Sequence, residues 1–476
     1  MKLPNILSVS DCGAVADGKT LTTEALQTAI DRVADQGGGT VWVPPGRYLT
    51  GMLRLRSKIT FHLEAGAVLL ASPDPEDSRP WAPSKESGDY WQHEEEGSWH
   101  LLYAENCEDL ILSGHGLLDG QGEFHYDAPP EGQLGWPLAK AKDGRRPGAL
   151  VQISRCRRVR LQDLRLQNVA NWTLHLYDSD HVQVRDICIN NPEHAPNADG
   201  IDITGCHYVS INGCHIDTCD DAICLKTFDH SRTCENVTVA NCVLKTSCVA
   251  LKLGCVESVQ DMRNVTFANC TVTGSSRGIG LYSVNGGILE NISISNIVCD
   301  TRAPLMFTRP IHLDLRKSHR YPNRPGGIRN VLISGMVATT NGRCLFTGDQ
   351  DNFIENLILR DIQLIYPTVD DPARTGKTYG GSQFSPQSPW ARTTRAALVF
   401  DKVRKCSLEG IHIQWPQPGE NLDPVWTPPA KIANGDHHIF QPADWALPTG
   451  ITFQALAVQN CENLSLQTDH LEEYNG

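Results

Sequence analysis

The sequence lacks three features that define common functional classes. It has no basic excess, since 42 Lys and Arg against 55 Asp and Glu give a net charge of −13. This balance disfavours nucleic acid and anionic membranes as partners, although a local basic cleft could still bind an acidic glycan. No apolar run is long enough to span a bilayer. The N-terminus MKLPN has no signal-peptide core, so we expect a cytoplasmic location, or secretion if a signal peptide has been removed.

C-x-x-C pairs are also absent. The 17 cysteines are scattered through apolar repeats, and Cys214, Cys242 and Cys270 recur at the same place in successive repeats, as do Asn241 and Asn269. Stacked residues of one type predict an interior ladder. Thiols in such a ladder could ligate zinc, but zinc sites typically use C-x-x-C pairs. We interpret the cysteines as reduced and buried, and we expect neither a metal site nor a cofactor.

A motif of alternating apolar residues recurs through most of the chain. Copies begin at Cys156, Asp180, Cys206, Cys234, Met262, Leu289, Ile328 and Ile354, with weaker ones near Arg404 and Cys461. Their spacing of roughly 24 to 28 residues fits one lap of a β-solenoid. Few aromatics (7%) and 40 glycines are typical of short strands joined by tight turns. The repeat predicts an all-β solenoid forming a single domain over residues 1–476.

Other segments flank or interrupt this repeat. The apolar spacing in residues 22–35 predicts an amphipathic helix that caps the N-terminal end of the solenoid. Residues 1–50 are expected to form this cap and the first strands. Insertions rich in Pro, Gly, Trp or charged residues predict loops that build a binding face, at 72–100, 123–147, 367–400 and 415–448. His437 and His438 in the last insertion have no Cys or carboxylate at ligand spacing, so we interpret them as loop residues.

Two acidic clusters stand about one repeat apart: Asp199 with Asp202, and Asp220 with Asp221. If one lap separates them, the second cluster stacks on the first at a rung spacing of ~4.8 Å. Carboxylates that close shift each other's pKa, so that one remains an acid and another a base, as glycoside hydrolysis requires. Acidic turns or a calcium site are the alternatives. The solenoid that brings the acids together favours catalysis.

Motifs along nearly the whole chain resemble those of glycoside hydrolase family 28, the polygalacturonase or pectinase family. They are DCGAVADGKTLTTEALQTAI, GGGTVWVPPGRYLTG, LEAGAVLLAS, GLLDGQGE, NWTLHLY, NADGIDI and CDDAICLK. The resemblance implies a right-handed parallel β-helix. It also implies hydrolysis of a glycosidic bond with inversion.

The resemblance further implies roles for individual residues. The family's N-T-D corresponds to Asn197-Ala198-Asp199, and its D-D to Asp220-Asp221. By this correspondence Asp220 is the general acid, while Asp199 and Asp221 hold and activate the water. Asn197 would orient a carboxylate or a sugar hydroxyl, or serve only as a turn residue. Because adjacent side chains of a strand point to opposite faces, we expect the chain to bend at the Asp pair.

Two motifs of the family are missing. Residues 246–248 (TSC) or, in better register, 275–278 (SSRG) stand in place of its G-H-G. Residues 309–314 (RPIHLD) replace the R-I-K whose cations clamp a uronate carboxylate in the family. Arg277 and His312 are therefore candidates for substrate contact, with solvated turn residues as the alternative. An arginine suits a bidentate carboxylate contact, so Arg277 could replace the lost clamp.

Four further residues are candidates for substrate binding. Lys226 matches the lysine that follows D-D in the family, and Lys252 is expected near the same face. Asp202 belongs to the first acidic cluster. Trp172 precedes the acids by about one lap, where its ring would either stack on a sugar or pack in the core.

These observations predict an inverting glycoside hydrolase that acts on a pectin-derived or other acidic plant-wall oligo- or polysaccharide. The insertions at 72–100 and 367–400 could close one end of a cleft, which favours exo action on oligosaccharides. Two alternatives stay open. One is a polysaccharide lyase on the same scaffold, with Lys226 or Arg277 as the base and usually calcium. The other is a non-catalytic, glycan-binding β-helix.

Overall fold

The computed structural model describes residues 5–81, 99–127, 140–141, 146–302, 308–349, 352–369, 388–416, 432–433, 439–440, 452–467 and 471–475. The chain divides after Asp220 into two compact units. No helix among these residues is both long enough and apolar enough to cross a membrane. The assignment of the whole chain to a single domain stays a prediction.

The first unit consists of short strands and one long helix. The helix is α1 (Thr23–Asp35), and the strands are β1 (Ile6–Ser8), β2 (Asp17–Leu21), β3 (Gly39–Val43), β4 (Gly46–Thr50), β5 (Leu53–Arg54), β6 (Ile59–Leu63), β7 (Ala67–Ala71), β8 (Leu102–Glu105), β9 (Glu108–Gly114), β10 (Leu117–Asp119), β11 (Tyr126–Asp127), β12 (Lys140–Ala141), β13 (Val151–Ser154), β14 (Arg157–Gln162), β15 (Arg165–Gln167), β16 (Leu174–Tyr177), β17 (Asp180–Arg185), β18 (Cys188–Asn190), β19 (Ile201–Thr204), β20 (His207–Asn212) and β21 (His215–Thr218).

Parallel pairing stacks most of these strands into three sheets, to which each full lap contributes one strand. Sheet A contains β1, β3, β6, β9, β14, β17 and β20. Sheet B contains β2, β4, β7, β10, β15, β18 and β21. Sheet C contains β5, β8, β13, β16 and β19. Apolar residues in register fill the interior, as Val159, Val182 and Val209 do in sheet A. The unit is a parallel β-helix.

Helix α1 covers the first laps of this unit. Its apolar residues Leu26, Ile30 and Val33 are fully buried, and the helix packs against β1, β3, β5 and β6. The side chain of Gln27 ties it to Arg54, accepting from Arg54 N and donating to Arg54 O, each at 2.9 Å. The helix predicted from the sequence is therefore confirmed.

The second unit has longer strands and a second short helix. The helix is α2 (Pro389–Thr393), and the strands are β22 (Ile223–Thr227), β23 (Cys234–Ala240), β24 (Val243–Thr246), β25 (Val249–Ser258), β26 (Met262–Thr273), β27 (Arg277–Ser283), β28 (Ile288–Asp300), β29 (Arg309–Leu315), β30 (Gly327–Thr339), β31 (Cys344–Thr347), β32 (Ile354–Ile365), β33 (Ala396–Asp401), β34 (Val403–Gln414), β35 (Ile432–Ala433), β36 (Ile439–Phe440), β37 (Thr452–Gln459), β38 (Glu462–Gln467) and β39 (Tyr474–Asn475).

Two parallel sheets organise this unit. Sheet D contains β22, β25, β27, β29, β31, β33 and β37. Sheet E begins with β23 and β24, which both pair with the single strand β26, and continues through β28, β30, β32, β34 and β38. The chain alternates between the two sheets, and each lap adds a strand to both. This unit is therefore also a parallel β-helix.

Sheets C and D carry polar side chains in register, although both sheets are buried. In sheet C, Gln152, His175 and Asp202 are register partners, and His175 Nδ1 lies 2.8 Å from Gln152 Oε1. In sheet D, Lys252, Gly280 and His312 are register partners. Candidate site residues are concentrated on these two sheets and on the turns before their strands.

The predicted insertions agree only in part with the structure. Residues 82–98, 128–139, 142–145 and 370–387, and most of 415–448 including His437 and His438, lie outside the described residues. The predicted loop at 72–100 contains a 3₁₀ helix at Pro75–Trp81. The predicted loop at 367–400 extends too far, because β33 begins at Ala396 and pairs in sheet D.

The predicted interior ladder is correct for the cysteines and wrong for the asparagines. Cys214, Cys242 and Cys270 are buried, and none of the 17 cysteines forms a disulfide, but Cys188 is exposed and Cys12 and Cys461 are only partly buried. Asn241 and Asn269 are exposed, with φ of 57° and 54°, and Asn269 Nδ2 donates to Asn241 Oδ1 at 3.3 Å. Asparagine tolerates this left-handed backbone better than most residues, which explains its place at the outer corner of a lap.

Candidate active site

In the first unit, a tight turn before β19 positions Asn197 and Asp199. Asn197 has a left-handed backbone with φ of 50°, and Asp199 N donates to Asn197 O at 2.9 Å. Neighbouring laps hold this turn, because Thr173 N donates to Asp199 O at 3.0 Å and Asp220 N donates to Ala198 O at 3.2 Å. Asp199 is buried in consequence, with 2% of its surface exposed. The turn interpretation of Asn197 is confirmed, while its contact with substrate stays a prediction.

Arg146 fixes the same turn from the preceding laps. Its Nη2 donates to Asn197 Oδ1 at 2.7 Å, and its Nη1 donates to Pro196 O at 3.1 Å and to Ala170 O at 3.4 Å. Burial lowers the pKa of Arg146, and the carboxylates of Asp199 and Asp220 act in the opposite direction. This guanidinium therefore lies within electrostatic reach of two predicted site residues. Arg146 is not among the residues predicted from the sequence, in which it stands out only as part of an R-R dipeptide in an insertion.

Asp220 lies in the bend that follows β21. Cys219 is the residue before Asp220. Burial raises the pKa of its thiol, and the carboxylates of Asp220 and Asp199 raise this pKa further. Both carboxylates therefore act on one thiol, as expected if they occupy one region of the first unit. Strand β21 ends at Thr218 and β22 begins at Ile223, so the predicted bend at the Asp220-Asp221 pair is confirmed.

Asp202 and Trp172 lie nearby on sheet C. Asp202 is a fully buried residue of β19 and the register partner of His175 in β16. Trp172, just before β16, is half-buried, and its ring packs edge-on against His175 with centroids 4.8 Å apart. His175 Nε2 also lies 2.9 Å from Thr204 Oγ1. Substrate contact by Asp202 or Trp172 stays a prediction.

In the second unit, Asp221 and Lys252 form a buried ion pair. Lys252 Nζ lies 2.5 Å from Asp221 Oδ2, and Val249 N donates to Asp221 Oδ1 at 3.3 Å. Burial alone would raise the pKa of Asp221, but Lys252 and then Lys226 outweigh it and hold this pKa below its usual range. Burial likewise opposes the charge of Lys252, yet Asp221 raises the pKa of that amine. Asp221 is therefore ionised, as a base requires.

Lys226 supports this charge from within β22. It is almost fully buried, and Cys224 of the same strand is the register partner of Lys252. Lys226 and Lys252 were expected near one face. Both lysines lower the pKa of Asp221, which agrees with this expectation.

Arg277 and His312 lie in strands β27 and β29, and both are fully buried. The alternative that they are solvated turn residues is therefore wrong. Arg277 Nη2 lies 2.9 Å from Cys248 Sγ. His312 Nδ1 lies 3.0 Å from Arg309 Nη1 and 3.2 Å from the hydroxyl of Tyr282. Contact of Arg277 or His312 with substrate stays a prediction.

This part of the second unit is rich in positive charge. Arg277 and Arg309 are register partners on adjacent strands. Burial, followed by repulsion from Arg343, lowers the pKa of Arg309 to about 9. Burial and then Arg309 also lower the pKa of His312, so this imidazole is neutral. Asp314, the carboxylate of the same strand, is bound 2.5 Å from Arg316. Arg309 was not predicted as a site residue, because it lies in the segment that replaces the R-I-K motif of the family.

Comparisons with known proteins agree with this picture. A family model described as glycosyl hydrolases family 28 matches residues 41–308, and one described as rhamnogalacturonase A/epimerase, pectate lyase-like, matches residues 6–62. A probable polygalacturonase of Vitis vinifera is 31% identical over 227 residues, which are 46% of this chain and 44% of that protein. An exo-poly-alpha-D-galacturonosidase of Dickeya chrysanthemi is 26% identical over 258 residues, which are 46% and 42%. The chain spans less than half the length of these curated relatives.

Among solved structures, a hyperthermoactive exopolygalacturonase of Thermotoga maritima has a TM-score of 0.63 and 23% identity, covering 87% of this chain and 93% of that one. At this identity the likeness shows the fold alone. The all-β, right-handed parallel β-helix predicted from the sequence is confirmed.

Proposed function

The chain belongs to glycosyl hydrolase family 28, and from this premise we propose that it hydrolyses glycosidic bonds of a pectin-derived or other acidic saccharide with inversion at the anomeric carbon. One observation carries the proposal. Asp199 and Asp220 share the neighbourhood of Arg146, and Asp221, the next residue, is kept ionised by Lys252. This supplies three carboxyl groups, one of which a lysine holds ionised, and the reaction needs carboxyl groups as both acid and base.

Asp220 acts as the general acid in this proposal. Asp220 is buried, with 6% of its surface exposed, and in this role its carboxyl group carries a proton when the saccharide binds. It gives this proton to the glycosidic oxygen as the bond to the anomeric carbon breaks. Asp199 and Asp221 hold the attacking water on the opposite face of the sugar, and one of them accepts a proton from it. The new C–O bond then has inverted configuration.

The charge of the second unit supports an acidic substrate. Arg277 and Arg309 are adjacent, buried cations, and the carboxylate Asp314 is already bound to Arg316. A uronate carboxylate near this cluster would interact favourably with its positive charge. The cluster can thus recognise uronates without the R-I-K motif of the family.

We also propose exo action on oligosaccharides. An exo-acting galacturonosidase is among the curated relatives, and the insertions of this chain are long enough to close one end of a cleft. Product analysis tests this point, because random internal cleavage of long polymer would contradict it.

Replacement of the general acid is the principal test. Asp220→Asn should lower kcat on oligogalacturonate by about 10²- to 10⁴-fold, since it removes general acid catalysis, and should leave Kd nearly unchanged. Asp217→Asn, on the preceding strand β21, is the matched control and should retain wild-type kcat. Full activity of Asp220→Asn would contradict the proposal. An unsaturated, ultraviolet-absorbing product would instead identify a lyase.

A further inference from the structure

The turn between β29 and β30, residues 316–326, concentrates positive charge. This segment, which we call the basic loop, has the sequence RKSHRYPNRPG and contains no Asp or Glu. Its exposed residues include Lys317, His319, Arg320 and Arg324. In a chain with a net charge of −13, such a local reversal of sign marks a surface suited to an anionic partner.

Hydrogen bonds hold the basic loop across several laps of sheet D. The hydroxyl of Tyr321 donates to Asp229, in the turn after β22. Arg324 Nη1 donates to Val259 O, after β25, at 2.7 Å. Ser318 Oγ donates to Asn285 Oδ1, after β27, at 3.0 Å. Three lap spacings of ~4.8 Å separate β22 from β29, so the loop borders about 14 Å of the sheet edge.

Two cations of the basic loop remain available to a partner. Arg320 lies 2.8 Å from Asp229 Oδ2, and Arg316 lies 2.5 Å from Asp314 Oδ2. Among the described residues, no carboxylate forms a salt bridge with the side chain of Lys317 or Arg324, although Lys317 N donates to Asp349 Oδ2 at 3.0 Å. The guanidinium of Arg324 lies over the Tyr321 ring, 5.8 Å from its centroid, which restricts its position.

The position of the basic loop relates it to the ion pair of the second unit. Asp221 lies two residues before β22 and Lys252 is the fourth residue of β25, whereas the loop lies beyond the ends of the same strands. Strand β22 has five residues, so about 13 to 17 Å of sheet separates the two edges. A saccharide that contacts both edges must therefore be at least this long.

We propose that the basic loop binds a segment of a polyuronate chain that extends past the bond being cleaved. This inference rests on the proposed function and adds to it that the rate depends on the number of carboxylates beyond the cleaved bond. Exposed charges at the edge of a binding site mainly increase the association rate, and salt screens them. The basic loop should consequently favour long anionic substrates without altering the chemical step.

The test compares substrates of two lengths in matched variants. Lys317→Ser/Arg324→Gln removes both available cations, and Lys405→Ser, an exposed lysine of β34, is the control. On polygalacturonate at about 0.01 M salt, the double variant should lose about 2- to 20-fold in kcat/KM, and the loss should vanish at about 1 M salt. On digalacturonate it should match wild type. Equal losses on both substrates, or no loss on the polymer, would overturn the inference.

A binding measurement separates this inference from the proposed function. In affinity electrophoresis, polygalacturonate should retard the inactive Asp220→Asn protein, and addition of the two loop substitutions should weaken this retardation. The fully methyl-esterified polymer should show no loop-dependent retardation. The same measurement with polyphosphate tests the specificity. If the loop substitutions weaken retardation by polyphosphate as much as retardation by polygalacturonate, the assignment to polyuronate is wrong. Failure of the wild-type protein to cleave any glycan would refute the proposed function alone.

Discussion

Substitution of Lys252 by methionine should destabilise the protein and change the pH dependence of its activity. The ammonium and the Asp221 carboxylate are 2.5 Å apart, and both side chains are almost fully buried. At an effective dielectric constant near 20, their gross attraction is about 7 kcal/mol. Much of this offsets desolvation, but removal of one partner leaves a buried charge without its nearest counterion. We therefore expect Lys252→Met to lower the free energy of unfolding by about 3–5 kcal/mol.

The same substitution should raise the pKa that limits activity on the acid side. Lys252 is the largest influence that holds the pKa of Asp221 down against burial. Without it, Asp221 becomes protonated at a higher pH, and the acid limb of kcat/KM should move upward. The stability difference should narrow as pH falls from the raised pKa of Asp221 in the variant to its lowered pKa in the wild type, because the pair stabilises the folded state only while Asp221 is ionised.

Urea denaturation and pH–rate profiles measure both effects, with Lys405→Met as the control for loss of an exposed lysine. A double-mutant cycle with Asp221→Asn isolates the pairwise energy, since removal of both charges should restore part of the lost stability. Two results together would refute this reasoning. The unfolding free-energy changes of the two single variants would add up to that of the double variant, and the acid limb of kcat/KM would lie at the same pH in Lys252→Met as in the wild type.

Two further predictions concern stability. His312 is buried and neutral, with a pKa well below its usual range, so the unfolded state binds a proton that the folded state does not. Through this residue, the free energy of unfolding of the wild type should therefore fall by about 1.4 kcal/mol per pH unit below about pH 6.5. Thermal denaturation at several pH values should show a smaller slope in His312→Gln. The exposed control His412→Gln should keep the wild-type slope. Asn330 has φ of 56°, donates to Asn291 Oδ1 at 3.0 Å and accepts from Asn356 Nδ2 at 2.9 Å. Asn330→Ala should lower the free energy of unfolding in urea by about 1–3 kcal/mol, and a midpoint equal to that of the control Asn323→Ala would contradict this.

Sequence alone predicted the strands that alternate cleanly between apolar and polar residues. The repeats beginning at Met262 and Ile354 coincide with β26 and β32, because one face of each strand is buried and the other is solvated. The strands of sheets C and D were harder to find. The β29 sequence RPIHLDL is buried along its whole length, so its arginine, histidine and aspartate carry no solvent-facing pattern.

The candidate site was also only partly predictable. The two acidic clusters stand about one lap apart, and among their four carboxylates the resemblance to the family motifs selected Asp199, Asp220 and Asp221. Arg146 precedes Asn197 by about two laps, and only the folded chain shows that the two side chains form a hydrogen bond. The burial of Arg277 was equally hidden, because an arginine next to glycine and serine residues is typical of an exposed turn.

The anomeric configuration of the first product tests the central claim most directly. Proton NMR during the initial turnover of oligogalacturonate by the wild-type protein distinguishes the two anomers before they equilibrate. If Asp220 protonates the leaving oxygen while Asp199 and Asp221 activate water, the new reducing end must have the configuration opposite to that of the cleaved bond. A product that retains the original configuration would contradict the account.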